Sequence, residues 1–175
     1  EPLMGSSKAD APEPLRRPVL VATGVATLWW SISALRHALL QSNAFDLGIY
    51  DQVAWLISRG LEPRSTLLDL HHMGNHGAWA FYPIGLLYRL HASVQWLFVL
   101  QSSCLAFTAI PLWRLARARG LPTRLCWLVV SAWWLQPVVF NTNLYDFHPE
   151  TLAMPLLAAS FLLQSSGRWL AWLLL

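Results

Sequence analysis

The chain has 175 residues and a formal charge of +3; 55% of its residues are hydrophobic, only 12% are charged, and mean hydropathy is +0.41. So little polar surface cannot cover that much apolar side chain in water, which excludes an ordinary soluble domain and makes lipid the expected solvent. Eleven of the twelve basic residues are Arg, yet no basic run is interleaved with exposed aromatics in a polar context, so nucleic acid is not an expected partner.

Residues 1–17 are polar, carry Pro2, Pro12 and Pro14, show no apolar periodicity and read as a disordered tail. The stretch 18–35, PVLVATGVATLWWSISAL, is uncharged and follows Arg16 and Arg17. It is longer than a signal-peptide core and no small-residue cleavage site follows, so a retained first transmembrane helix is predicted over about 18–40. Residues 41–91 form a long first loop. Within it, apolar residues at 45, 49, 53, 56 and 57 follow helical spacing, Asn43 is a candidate N-cap and Gly60 a candidate stop. That segment is too short and too charged to span and reads as an amphipathic helix along the membrane surface. Residues 77–88 are uncharged but only twelve long, which suits a re-entrant or interfacial helix. Further spans are predicted over 92–113, 125–145 and 151–167. The final RWLAWLLL is an apolar segment barely begun, so the chain reads as the N-terminal part of a longer protein. Cys104 and Cys126 lie inside apolar stretches, without zinc or redox spacing, and read as small buried hydrophobes. The expected fold class is all-α, a polytopic transmembrane helix bundle occupying residues 18–175.

Loops rich in arginine collect on the cytoplasmic side. Arg16 and Arg17 place the N-terminus inside, and Arg114, Arg117, Arg119, Arg124 and Arg168 place the later short turns there too. The loops 41–91 and 141–150 then share the outer face. All six histidines (37, 71, 72, 76, 91, 148) fall on or near it, with Asp46, Asp51, Glu62, Asp69, Asp146 and Glu150, six of the nine acidic residues.

Three stretches on that face could carry chemistry. In YDFHPE, residues 145–150, Pro149 and Glu150 suit the first turn of a helix and Asp146 or His148 could cap it; the same run could offer Asp146, His148 and Glu150 to a divalent cation. In NAFDLGIYDQ, residues 43–52, Asp46 and Asp51 diverge by about 140° on a helix and cannot share one small site. Asp46, at the helix start, is the better candidate, and Asp51 is expected to pair with an arginine or face water. In DLHHMGNHG, residues 69–77, His72 and His76 have zinc-ligand spacing if helical, whereas Gly74 and Gly77 favour a loop in which Asn75 and His76 form a shaped turn. Trp55, Trp79 and Tyr145 lie close enough to the polar face to stack on a sugar or lipid headgroup; the other tryptophans read as packing and interfacial belts.

The ordered combination of FDLGIYDQ, GNHG and LYDFHPETLAMPLL resembles the domain of unknown function 2079 family of bacterial multi-pass membrane proteins, over about residues 19–167. That family is distantly similar to the GT-C glycosyltransferases. The resemblance implies a many-span bundle in the bacterial inner membrane, N-terminus cytoplasmic, with membrane lipid and a polyprenyl-phosphate sugar donor as partners. It places Asp46 where GT-C enzymes carry an essential acidic residue soon after the first span, as general base or metal ligand. Asp146 or Glu150 would be the second acidic residue. Asp146, His148, Glu150, His72 and His76 would serve a divalent cation (Mg, Mn or Zn), and Tyr50, Asp51, Asn75 and Tyr145 would contact substrate, with Arg59, Arg64 or Arg89 on the carrier phosphate. There is no acidic pair of the Asp-x-Asp type, and the histidines point to a different metal or acceptor. The competing readings are a transporter or metal-handling protein, against which the uncharged spans 92–113 and 125–145 count, and a structural membrane subunit.

Overall fold

The structure, a computed structural model, describes residues 14–75 and 78–168. It is helical, as expected, apart from one two-residue hairpin. In chain order the elements are α1 (Arg16–Ala38), α2 (Ala44–Ser58), β1 (Arg64–Ser65), β2 (Leu70–His71), α3 (Phe81–Leu90), α4 (Gln95–Phe107), α5 (Ala109–Ala118), α6 (Thr123–Leu135), α7 (Pro137–Leu144) and α8 (Met154–Ser165). Short 3-10 turns cover His72–Gly74 and Pro149–Ala153.

Among the described residues, two helical stretches are long and apolar enough to cross a membrane, Arg16–Ala38 and Gln95–Ala118. On α1 the buried side chains Ala22, Ala26, Trp29 and Ser33 recur at helical spacing, while Leu20, Leu28 and Leu35 face outward. Outward leucines on a spanning helix are lipid contacts, not a defect in the core. The second span is interrupted at Thr108, between α4 and α5. The cause lies one turn on: Pro111 has no N–H to give the Phe107 carbonyl, and its ring crowds that carbonyl.

The third span, expected over 125–145, is broken. α6 and α7 meet at 45°. Pro137 opens α7, and Gln136 before it is held extended at φ −65°, ψ 123°, as a residue preceding proline prefers. The stretch expected as a fourth span, 151–167, folds as a 3-10 turn and then the 12-residue α8. At about 1.5 Å per residue α8 is only about 18 Å long, short of a bilayer core. Pro149 and Pro155 prevent a regular helix from running through the region, since neither can donate to the preceding turn.

Two cores result. One joins α1, α4, α5, α6 and α7 around Ala22, Trp29, Leu105, Trp113, Val130 and Val139. The other joins α2, α3 and the start of α4 around Tyr50, Val53, Phe81, Tyr88 and Leu97, and Phe147 from the loop after α7 inserts into it. α2 therefore has a partner: its buried face packs on α3, which is too short to span and lies beside it. Gly60, at φ +69°, ends α2 as expected. Its N–H bonds to Ile57 and the Leu61 N–H to the Leu56 carbonyl, the paired closure that favours glycine.

Both polar loops lie at one end of the bundle. There the Trp30 indole N–H donates to Gln95 at 2.9 Å and His37 meets Phe98 edge-on at 5.5 Å. At the other end Trp113 meets Trp127 at 4.7 Å, near the arginines of the 114–124 turn.

Candidate functional site

Tyr145-Asp146-Phe147-His148 leaves α7 and crosses beneath the start of α2. Its path is set by one buried amide. Gln101, on α4 and 1% exposed, donates to the carbonyls of Thr142 and Asp146 and accepts the His148 N–H at 2.8 Å. A second buried amide, Asn143, fixes the end of α7. Its side chain accepts from Ser102 at 2.8 Å and donates to the Trp29 carbonyl at 3.2 Å, and its own carbonyl accepts from Ser33 at 3.0 Å. In a low-dielectric bundle such amides are costly unless paired, and paired they specify one arrangement. Neither residue was singled out from the sequence; the available signal was an amide among uncharged apolar neighbours, in QSS at 101–103 and NTN at 141–143.

With that loop anchored, Asp146 reaches α2. One of its carboxylate oxygens accepts the backbone N–H of Asn43 at 2.7 Å. Asn43 is the N-cap of α2, its side chain accepting from Phe45 N at 2.9 Å, as the sequence predicts. Asp146 thus caps nothing in its own turn; His148 stands at the N-cap of the 149–153 turn without a side-chain bond. Tyr145 completes the junction. Its hydroxyl lies 3.4 Å from the Asp46 carboxylate as donor, and its ring stacks on His148 at 5.4 Å and 7°.

Tyr50, one turn along α2 from Asp46, is buried, stacked on Phe81 at 5.3 Å and edge-on to Phe147. Burial pushes its hydroxyl above the ordinary value; the Glu150 and then the Asp46 carboxylates add to this, and a hydrogen bond from Asn75 opposes it. Asp46, Tyr50, Asn75, Tyr145, Asp146, His148 and Glu150 therefore gather around the start of α2. Burial also lifts the Asp146 carboxyl above its usual range. The Asn43 N–H and Arg36 work against the rise, Asp46 adds to it, and His148 opposes it.

The other expected residues sit elsewhere. His72 is 4% exposed, with its ring edge-on to Phe81 and Tyr82 and its Nε2 without a hydrogen-bond partner. Burial, and then His71, hold its pKa below the ordinary value. His76 lies outside the described residues. Among those described, no three His, Cys, Asp or Glu side chains gather as a metal-binding set. Arg64 pairs with Asp69 at 2.9 Å across the hairpin, Arg59 lies 5.8 Å above the Trp55 ring, and Arg89 is exposed at the end of α3. Among the described residues, Asp51 pairs with no arginine. It accepts from the Tyr88 hydroxyl at 2.8 Å, on the face of α2 away from Asp46.

No curated protein and no solved structure matches the chain. The family described as Predicted membrane protein (DUF2079) matches residues 36–175, a span containing α2, the loop after α7 and every residue of the junction between them. The chain belongs to the DUF2079 family of predicted membrane proteins.

Proposed function

We propose that the chain is part of an integral-membrane glycosyltransferase that takes a sugar from a polyprenyl-phosphate carrier at the extracytoplasmic face of a bacterial inner membrane. The observation that carries this reading is the meeting of Asp46 with the 145–150 loop at one end of the bundle, through Tyr145. In the proposed reaction Asp46 accepts the proton of an acceptor hydroxyl. The freed oxygen attacks the anomeric carbon, the bond from that carbon to the phosphate oxygen breaks, and the carrier phosphate leaves. Asp46 is half-buried, and its carboxylate is reached by the Tyr145 hydroxyl at the edge of the junction. Tyr145, exposed beside Asp46, presents an aromatic ring and a hydroxyl to a sugar, with Tyr50 buried beneath as support; Arg64 is committed to Asp69, and Arg59 and Arg89 lie away from the junction.

The described residues do not fit a divalent cation held by protein alone. A Mg, Mn or Zn ion would need ligands from the phosphate as well as from the protein. The experiment is replacement of Asp46 by Asn in the full-length protein, with sugar transfer from a polyprenyl-phosphate donor followed in membranes. Transfer should be lost while the helical fold is kept; normal transfer would end the proposal and leave a structural or transport role.

A further inference from the structure

α2 separates two sites. Ala44, Leu47, Gly48, Asp51 and Trp55 recur at helical spacing along the face turned away from Asp46, and they line a cleft of about 530 Å³ closed by the end of α1, the end of α3 and the turn before α4. That volume falls within the roughly 300–1,000 Å³ of small-molecule sites. Its wall is mixed. Tyr88 donates to Oδ1 of Asp51 at 2.8 Å, and Oδ2 of Asp51 has no hydrogen-bond partner among the described residues. His37 Nδ1 and the Ser42 hydroxyl are paired at 3.0 Å on the opposite wall. Trp55 is 41% exposed and offers an indole at the rim.

The charges narrow the ligand. A lone carboxylate repels phosphate and other anions. The Arg59 guanidinium, 5.8 Å over Trp55, sets a positive charge at the rim and disfavours an ammonium ligand. One carboxylate without a second acidic residue in the wall is too little for a divalent cation. A neutral polyol suits it: hydroxyls can donate to Asp51 Oδ2 and exchange hydrogen bonds with Ser42 and His37, and a sugar face can lie on the indole. Leu40, 92% exposed at the end of the first span, carries apolar wall toward the membrane interface.

We propose that this cleft binds the neutral, hydroxyl-rich headgroup of an amphiphile, at a site distinct from the Asp46 junction. The site does not depend on the transfer reading, because Asp46 takes no part in it.

The test uses the full-length protein in lipid nanodiscs, titrated with octyl β-glucoside below its micellar concentration and followed by saturation transfer to the glucose ring protons. Ring saturation is expected, and it should weaken about tenfold or more in Trp55→Ala and in Asp51→Ala, the loss of about 1.4 kcal/mol of binding. Trp55 is exposed, so its variant keeps the test decisive should Asp51→Ala fail to fold. Asp46→Asn should bind as the wild type does, which separates failure of this site from failure of the transfer proposal. Methyl β-glucoside distinguishes a free sugar from a lipid-borne one. Absent ring saturation, equal saturation in the Trp55 variant, or equal binding of octyl tetraethylene glycol would overturn the assignment.

Discussion

The carboxylate of Asp146 accepts the backbone N–H of Asn43 at 2.7 Å across 103 residues of chain. That bond joins the loop after the bent third span to the N-cap of α2, and Asp46 follows within one helical turn. The two acidic segments are neighbours because a buried side chain uses a free helix-start amide as its partner. The consequences can be measured.

Asp46→Asn should lower transfer by about 10²- to 10⁴-fold, the range for loss of a general base. The fold should be little affected, because the Tyr145 hydroxyl can donate to the new amide oxygen as it does to the carboxylate. Rates in membranes, with helicity by circular dichroism as the control, check both halves. A large loss of helicity with the loss of rate would mark Asp46 as structural.

Gln101→Leu should destabilise the protein by about 3 kcal/mol, because it strands the buried His148 N–H and carbonyls of the 142–146 segment. The same change should loosen the 145–150 loop and reduce transfer although Gln101 touches no substrate. Thermal unfolding in detergent, with proteolysis of the loop, reads the effect.

Asp146 gives a pH signature. Its folded-state pKa is raised, so the folded protein favours the protonated form relative to the unfolded chain. The stability this contributes is fully present below the ordinary value of 3.8 and is lost as pH climbs through the raised folded value. Asp146→Asn can still accept from Asn43 without carrying charge. The Tm difference between the variant and the wild type should therefore shift in the variant's favour as pH rises from 3.8 toward neutrality. A difference that is flat with pH would contradict the raised pKa.

Gly85 marks the closest approach of α3 to α2: a Cβ there would run into the side chain of Ile57. Gly85→Ala should cost about 1–3 kcal/mol by overpacking and separate the two helices. A thermal melt is sufficient, and an unchanged Tm would mean the contact relaxes freely.

Sidedness can be read by labelling. With Cys104 and Cys126 replaced by serine, single cysteines at exposed Phe45 and Glu150 should react with a membrane-impermeant maleimide from outside intact cells, while one at Arg119 should not. Reaction of the first two from opposite sides would remove the shared site.

What was legible in the chain was what short-range physics controls. Uncharged stretches marked the two long apolar helices, because burying charge in lipid is costly, but not the bend at Pro137 or the short α8 in place of a fourth span. Asn43 and Gly60 marked the ends of α2, because capping bonds and a positive φ involve residues only a few positions apart. The 140° between Asp46 and Asp51 follows from helix geometry, and the two do point apart, Asp46 to Tyr145 and Asp51 to Tyr88. The partners across the fold were not legible. That Asp146 holds Asn43, that Tyr88 rather than an arginine holds Asp51, and that Gln101 anchors a loop about forty positions away all depend on how the Pro137 bend and the α2–α3 packing bring distant segments together. Hydrogen bonds are satisfied by whichever group arrives within 3 Å, and a one-dimensional pattern carries no record of that distance.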